Sequence, residues 1–522
     1  MVAQALGART TLVECGDRHV TAAIDELREW LAEIADLGDV THLLEWDQQT
    51  MMPARGAAGR AEALATVRRV SHEKFASAET GRRLEAATAA LNGADPGDDE
   101  TSLVRVAARR WEKARRVPIE LAAARARAAS LGQEAWREAR DRSDFEAFAP
   151  YLELNVELSR RYVECFDEFD CPYDVLLDDY EPGMRTATVT ALFEELKSEL
   201  VPLIATLSEL SDRVDGSCLR GEFPAARQRH LVGEVVRLMG YDPEAWRMDT
   251  AVHPFATSFG YQDVRITTRW DESYFPAALF GGMHECGHGL YEAGIAASLQ
   301  RTPLGHADSL GIHESQSRLW ENMVGRGQPF SVVLAPLVAR EFGGALATLD
   351  PDTLYRAVNR VQPSFIRVEA DEATYGLHIV LRFELEQELI EGRLSIADLP
   401  EMWNERFKQY FGLDVPDDAR GVLQDVHWSS GSIGYFPTYA LGNLIAGQLW
   451  ERVGVDLPDL AAQIAAGELH PLREWLREHV HRHGAKFTMP ELLERVVGGP
   501  IEVAPFIAYL KRKLSDVYGV TL

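Results

Sequence analysis

Two imidazoles and a carboxyl in the order His284-Glu285-Cys286-Gly287-His288 could hold a metal ion and activate water. On a helix, residues i and i+4 share one face about 5–6 Å apart. Both rings can then reach one cation at roughly 2.0–2.1 Å. Glu285 stands beside the first ring and is placed to act as general base toward water at that cation. Catalytic zinc sites take three protein ligands and leave a further position open. The third is expected on a neighbouring helix. Glu314, in His313-Glu314-Ser315-Gln316, is preferred because two histidines with one glutamate form a recurrent hydrolytic set. His313 and Glu314 lie roughly 100° apart around such a helix, so both are not expected to be ligands. Cys286 points away from the metal face and reads as a packed thiol. His479 and His483 repeat the i, i+4 spacing, but Gly484 ends their segment, and they read as structural.

The elements that must carry these groups are mostly helices. Pro276 suits a first turn, and Leu279, Phe280, Met283, Leu290 and Tyr291 supply an apolar stripe at helical period. Gly281, Gly282, Gly287 and Gly289 each cost about 1 kcal/mol in a helix interior. Glycines kept at that cost mark a close approach of another backbone or a substrate. A second helix is expected over residues 310–324, stopped by Gly325. Long amphipathic stretches cover 20–35, 103–116, 119–140, 145–169, 189–214, 352–361 and 371–392. Residues 92–100 form a polar break that reads as a loop. Residues 250–270 read instead as a short strand pair just before the histidine helix. The fold class is mainly α with a small β element. Residues 1–20 are expected as an N-terminal extension and 21–522 as one helical domain.

In order along the chain come His253-Pro254-Phe255; Asp263-Val264-Arg265-Ile266-Thr267; the histidine helix; His313-Glu314-Ser315-Gln316; Ile366-Arg367-Val368-Glu369-Ala370-Asp371; and Gly434-Tyr435-Phe436-Pro437-Thr438-Tyr439. This series resembles the carboxypeptidase Taq family of metallocarboxypeptidases from about residue 20 to the C-terminus. The resemblance implies His284, His288 and Glu314 as metal ligands with Glu285 as catalytic base. It also implies a helical fold with a deep groove, a homodimer, and removal of single residues from peptide C-termini with broad tolerance.

A carboxypeptidase needs a cation for the free carboxylate, and arginine offers a matching fork. Arg367 is the first choice and Arg265 the second. His253, held extended before Pro254 in an edge strand, could hydrogen-bond substrate or the developing oxyanion; a structural role is the other reading. Tyr435 and Tyr439 lie in a Gly/Pro-punctuated loop. Tyr435 is favoured as oxyanion donor and Tyr439 as a substrate-binding wall. Asp371 and Gln316 read as partners that orient ligands.

With 54 basic and 81 acidic residues the net charge is -27, which does not suit nucleic acid or an anionic membrane as partner. The opening residues lack a secretory signal pattern, and no long apolar run reads as a membrane span. Five scattered cysteines (15, 165, 171, 218, 286) suit a reducing cytoplasm. The expected function is zinc-dependent release of C-terminal residues from peptides, with cobalt or manganese as possible substitutes. The alternatives are an endo-acting zinc oligopeptidase and a non-catalytic helical peptide-binding protein with a structural metal.

Overall fold

The helices that surround the candidate ligands begin where the chain supplies a cap. Pro276 occupies the first turn of the helix Phe275–Gly294, and Pro437 that of Pro437–Asp456. The Ser309 hydroxyl accepts from the Ile312 N–H at 3.0 Å to start Leu310–Arg318. Asp371 accepts from the N–H groups of Ala373 and Thr374, both at 3.0 Å, to start Glu372–Ile390. Asp371 is therefore a helix cap, and Gln316 bonds His481 at 2.8 Å; among the described residues neither hydrogen-bonds a candidate ligand, where a role in orienting ligands was expected.

The computed structural model describes the backbone of residues 2–91, 95 and 97–522, with side chains described from residue 22 onward. The side chains of the expected 1–20 extension fall outside these, as do residues 92–94 and 96 of the expected loop. The architecture is mainly helical, running from Val2–Thr50 to Ala504–Tyr518. One continuous apolar cluster extends from Ile24 to Tyr518. The expected helices form with adjusted ends: 145–169 stops at Val163, and 189–214 is Thr186–Glu209. The expected helix over 310–324 is α-helical only to Arg318. Residues Leu319–Gly325 widen into a π-helix, a form that favours functional sites.

The β element holds three strands where a pair was expected: β1 (Trp246–Thr250), β2 (Ala256–Ser258) and β3 (Val264–Thr268), in the order β1-β3-β2. β1 runs parallel to β3 with Trp246 opposite Val264, and β2 runs antiparallel with Ala256 opposite Ile266. The sheet packs on Phe275–Gly294 through Gly289, where a Cβ would lie 2.5 Å from the Trp246 ring.

Two other glycines set the packing at the centre. A Cβ on Gly287 would meet Ser317 Cα at 2.7 Å, so Phe275–Gly294 and Leu310–Arg318 touch backbone to backbone. A Cβ on Gly442 would meet Glu314 Cγ at 2.6 Å, so Pro437–Asp456 closes on Leu310–Arg318 from the other side. Glu314 thus sits on a helix clamped between two others.

Candidate metal centre and active site

The clamp brings three donor atoms together. His284 Nε2 lies 3.5 Å and His288 Nε2 3.3 Å from Glu314 Oε2. The ligand atoms of these three residues all lie within 4.8 Å of one another. The two imidazole side chains keep 17% of their surface exposed while that of Glu314 keeps 5%. The rings are therefore reachable from solvent while the carboxylate is held inside.

Each donor is oriented from behind. Glu321, on the π-helical turn, accepts from His284 Nδ1 at 2.9 Å, which leaves the Nε2 lone pair facing Glu314. His288 Nδ1 meets His313 Nδ1 at 2.5 Å, and His313 Nε2 meets Glu292 Oε1 at 2.9 Å. Arg318 Nε donates to Glu314 Oε1 at 2.7 Å, and Ser317 Oγ donates to Glu314 Oε2 at 2.9 Å. Reading residues for ligands alone missed Glu292, Arg318 and Glu321. Their signal was spacing: Glu314, Arg318 and Glu321 fall at i, i+4, i+7, and Glu292 extends the His284, His288 row by one more turn. His313 thus stands behind His288, outside the three grouped donors.

The charges follow from this packing. Burial and the neighbouring His313 push His288 down to about 3, so its ring is the neutral form that metals take. Burial alone would lower His284, but Glu314 and Glu321 carry it above its usual value. Burial alone would raise Glu314, but Arg318 and the two histidines hold it well below the carboxylate range. Glu285, buried beside them, is pushed up to about 7, chiefly by burial. Cys286 is fully buried and burial raises its thiol, as a packed core residue requires. Two neutralisable imidazoles and one anionic carboxylate at this separation suit a divalent cation.

A second cluster adjoins the first. Arg367 is buried, with Nε and Nη2 donating to Asp425 Oδ1 at 3.1 and 2.7 Å and Nη1 donating to the Tyr375 hydroxyl at 2.9 Å. Arg382 donates to the other Asp425 oxygen at 2.7 Å. Arg318 stacks 4.0 Å from the Tyr375 ring, so Tyr375 joins the two clusters. Tyr439 lies in the first turn of Pro437–Asp456 and not in the loop; its hydroxyl is 3.2 Å from His427 Nε2, and Arg367 sits 4.9 Å from its ring. Tyr435 remains in the loop, 5.3 Å from the Tyr439 ring, and burial with the nearby Glu314 charge pushes its phenol up to about 12. Asp425, His427 and Tyr375 also went unread in the sequence, where nothing in their spacing marks a site.

Two candidates stand elsewhere. His253 lies in an exposed bend between β1 and β2, not in a strand; partial desolvation of its ring and the charges of Arg269 and Arg140 lower it, and among the described residues it makes no hydrogen bond to either cluster. Arg265 gives its fork to Asp263 at 2.9 and 3.0 Å and stacks 4.2 Å from Trp46. Among the described residues it meets no member of either cluster. The His479 ring lies tilted against Trp475 at 4.5 Å, and His483 meets Phe487 edge-on at 5.2 Å. A further grouping of His230, Glu234 and Glu341 lies nearer the surface, and Arg340 pairs with both acids.

Residues 26–514 match the model of the carboxypeptidase Taq (M32) metallopeptidase family. The chain is 42% identical to thermostable carboxypeptidase 1 of Thermus thermophilus, covering 95% of this chain and 99% of that one. It is 37% identical to carboxypeptidase 1 of Bacillus subtilis, covering 94% and 98%. The solved M32 carboxypeptidase from Deinococcus radiodurans superposes with a TM-score of 0.92 at 38% identity, covering 96% of this chain and all of that one. With a donor triad, a neighbouring buried carboxyl and a match along nearly its whole length, the chain belongs to the carboxypeptidase Taq (M32) metallopeptidase family.

Proposed function

We propose that this protein is a zinc carboxypeptidase that releases single residues from peptide C-termini with broad side-chain tolerance. The observation that carries the reading is the convergence of His284, His288 and Glu314 beside a buried Glu285. These three residues would hold the cation, with cobalt or manganese as workable substitutes. When bound, such a cation supplies Lewis acidity, which makes water more acidic and polarises a carbonyl.

The chain's own residues do the rest. Glu285 takes the proton of the attacking water and returns it to the leaving amine nitrogen. The Tyr435 phenol, held protonated, donates a hydrogen bond to the oxyanion of the tetrahedral intermediate. Around Asp425 there are two guanidiniums to one carboxylate, Arg367 and Arg382, leaving one positive charge in excess. That excess, with the Tyr439 ring 4.9 Å from Arg367, is what a terminal carboxylate would meet, and His253 is assigned to substrate or oxyanion binding beside it on the family resemblance alone. Arg265, paired with Asp263 and meeting no member of either cluster among the described residues, is left out of this role.

The reading takes residues 21–522 as one domain, supported by the single apolar cluster. It includes a homodimer, on the family resemblance, and a cytoplasmic setting, supported by the free thiols of Cys165, Cys171, Cys218 and Cys286. No described helix is long and apolar enough to cross a membrane. The deciding experiment is mass spectrometry of a peptide pool incubated with metal-loaded protein. Stepwise loss of C-terminal residues is the expected result; internal fragments would replace the exopeptidase reading with the endo-acting one.

A further inference from the structure

Glu181 is fully buried, and among the described residues it pairs with no lysine or arginine. An unpaired buried carboxyl is costly to a fold, and burial pushes this one up to about 8 against the pull of its hydrogen bonds. Those hydrogen bonds converge on one place. The Ser309 hydroxyl donates to Glu181 Oε2 at 2.6 Å and the Gly311 N–H donates to Oε1. Both donors belong to the start of Leu310–Arg318, the helix that carries Glu314.

The first N–H groups of a helix have no partner within it. Here each is met. The Leu310 N–H donates to the Tyr180 carbonyl at 3.1 Å, Gly311 to Glu181, Ile312 to Ser309 Oγ at 3.0 Å, and His313 to the Ser309 carbonyl at 3.2 Å. Two consecutive residues of a distant segment, Tyr180 and Glu181, therefore seat this helix end. The seat is close-fitting: a Cβ on Gly311 would lie 2.8 Å from Glu181 Oε1 and 3.4 Å from Leu441 Cβ. Glu314 follows one turn later on the same helix, packed against Gly442 of Pro437–Asp456, so a slide or rotation at Gly311 moves its carboxylate directly. The neighbouring Tyr180 ring meets Tyr435 edge-on at 5.0 Å, which ties the same seat to the proposed oxyanion donor. Asp308, just before the helix, is held in turn by Arg109 and Arg110 at 3.3 and 2.9 Å.

We propose that Glu181 is a positioning residue for the metal centre: it fixes the N-terminus of Leu310–Arg318 so that Glu314 converges on His284 and His288. The inference rests on the metal-site reading above. Glu181 acts through the helix and touches neither substrate nor cation. Removing it lets the helix end shift, loosening Glu314 while both imidazoles stay anchored by Glu321 and His313.

The test compares wild type, Glu181→Ala and Glu181→Gln. Zinc affinity is measured by chelator competition, the visible absorption of the cobalt-loaded protein is recorded, and helicity is followed by circular dichroism. Expected for Glu181→Ala is a zinc Kd weaker by about 10–100-fold, the range for residues that orient ligands, with an altered cobalt spectrum at unchanged helicity. Glu181→Gln, which keeps the acceptor for Gly311, is expected to restore both. If Glu181→Ala does not fold, Glu181→Asp is read the same way, since its shorter reach loosens the seat. A zinc Kd and cobalt spectrum equal to wild type in Glu181→Ala, or in Glu181→Asp should only that fold, overturn the proposal, whatever happens to Tm. Wild-type protein that takes up no cobalt overturns the metal-site reading itself, a distinct result.

Discussion

Glu285 and Glu314 are buried beside the same imidazoles, yet their carboxyls are driven in opposite directions. Arg318 and the two histidines hold Glu314 anionic, whereas burial, with Glu314 and Glu321 adding to it, holds Glu285 high. Pairs of carboxyls separated in this way divide roles, one binding and one moving protons. Glu285→Gln is therefore expected to retain the metal while kcat falls by several orders of magnitude; metal content and turnover measured on one preparation check this, and near-normal turnover would discard the mechanism. Glu321→Gln keeps a shape that fits but removes the charge behind His284. Its zinc Kd is expected to weaken about 10–100-fold, read by chelator competition. For Arg367→Ala, KM for peptides with a free C-terminus should rise about 10–100-fold, the worth of a charge-assisted contact. A C-terminally amidated peptide, slow with wild type, should show no comparable change. Equal effects on both peptides would remove Arg367 from carboxylate recognition.

At the scale of elements, the centre depends on glycines that let three helices approach. Gly287 and Gly442 face Leu310–Arg318 from opposite sides, each with no room for a Cβ. Gly442→Ala presses on Glu314 itself, and overpacking of this kind costs about 1–3 kcal/mol. The expected outcome is lost zinc binding together with a lower Tm, measured by titration and thermal melting. Gly281 is the control: a Cβ there meets only Thr268 Oγ1 at 3.6 Å, an ordinary contact, so Gly281→Ala should leave zinc affinity unchanged. The π-helical turn after Arg318 belongs to the same scale. It carries Glu321, whose other oxygen is held by Arg326 at 3.2 Å, so the widened turn is pinned at the residue that bonds His284.

At the scale of the whole molecule, buried carboxyls couple stability to pH. Glu386 is fully buried and accepts from the Trp428 ring N–H at 2.7 Å, the Tyr173 hydroxyl at 2.5 Å and the Gly434 N–H at 3.0 Å; burial nonetheless pushes it up to about 7. A carboxyl raised in the folded state favours the fold below its unfolded pKa of about 4.3 and loses that contribution as pH rises through 7. Its share is of order 3 kcal/mol between those limits. Melting between pH 4.5 and 8 should therefore show a smaller fall in Tm for Glu386→Gln than for wild type; identical slopes would show that Glu386 is ionised throughout.

The donor chemistry was legible in the chain because it is local. His284, Glu285 and His288 are close in sequence, helical period places the rings on one face, and Pro276 and the apolar stripe declare the helix. The mainly helical fold was legible for the same reason, since amphipathic period repeats over long stretches. What the sequence left open were pairings between distant segments. Arg367 meets Asp425 58 residues on, and Glu181 seats a helix 130 residues on. His253 falls in a bend because β1 ends before it, and Arg265 turns to Asp263 because that acid lies two residues away along the chain. Spacing fixes which groups can share a helical face. Which buried charge answers which is decided only when packing excludes water and each carboxyl must take the nearest donor.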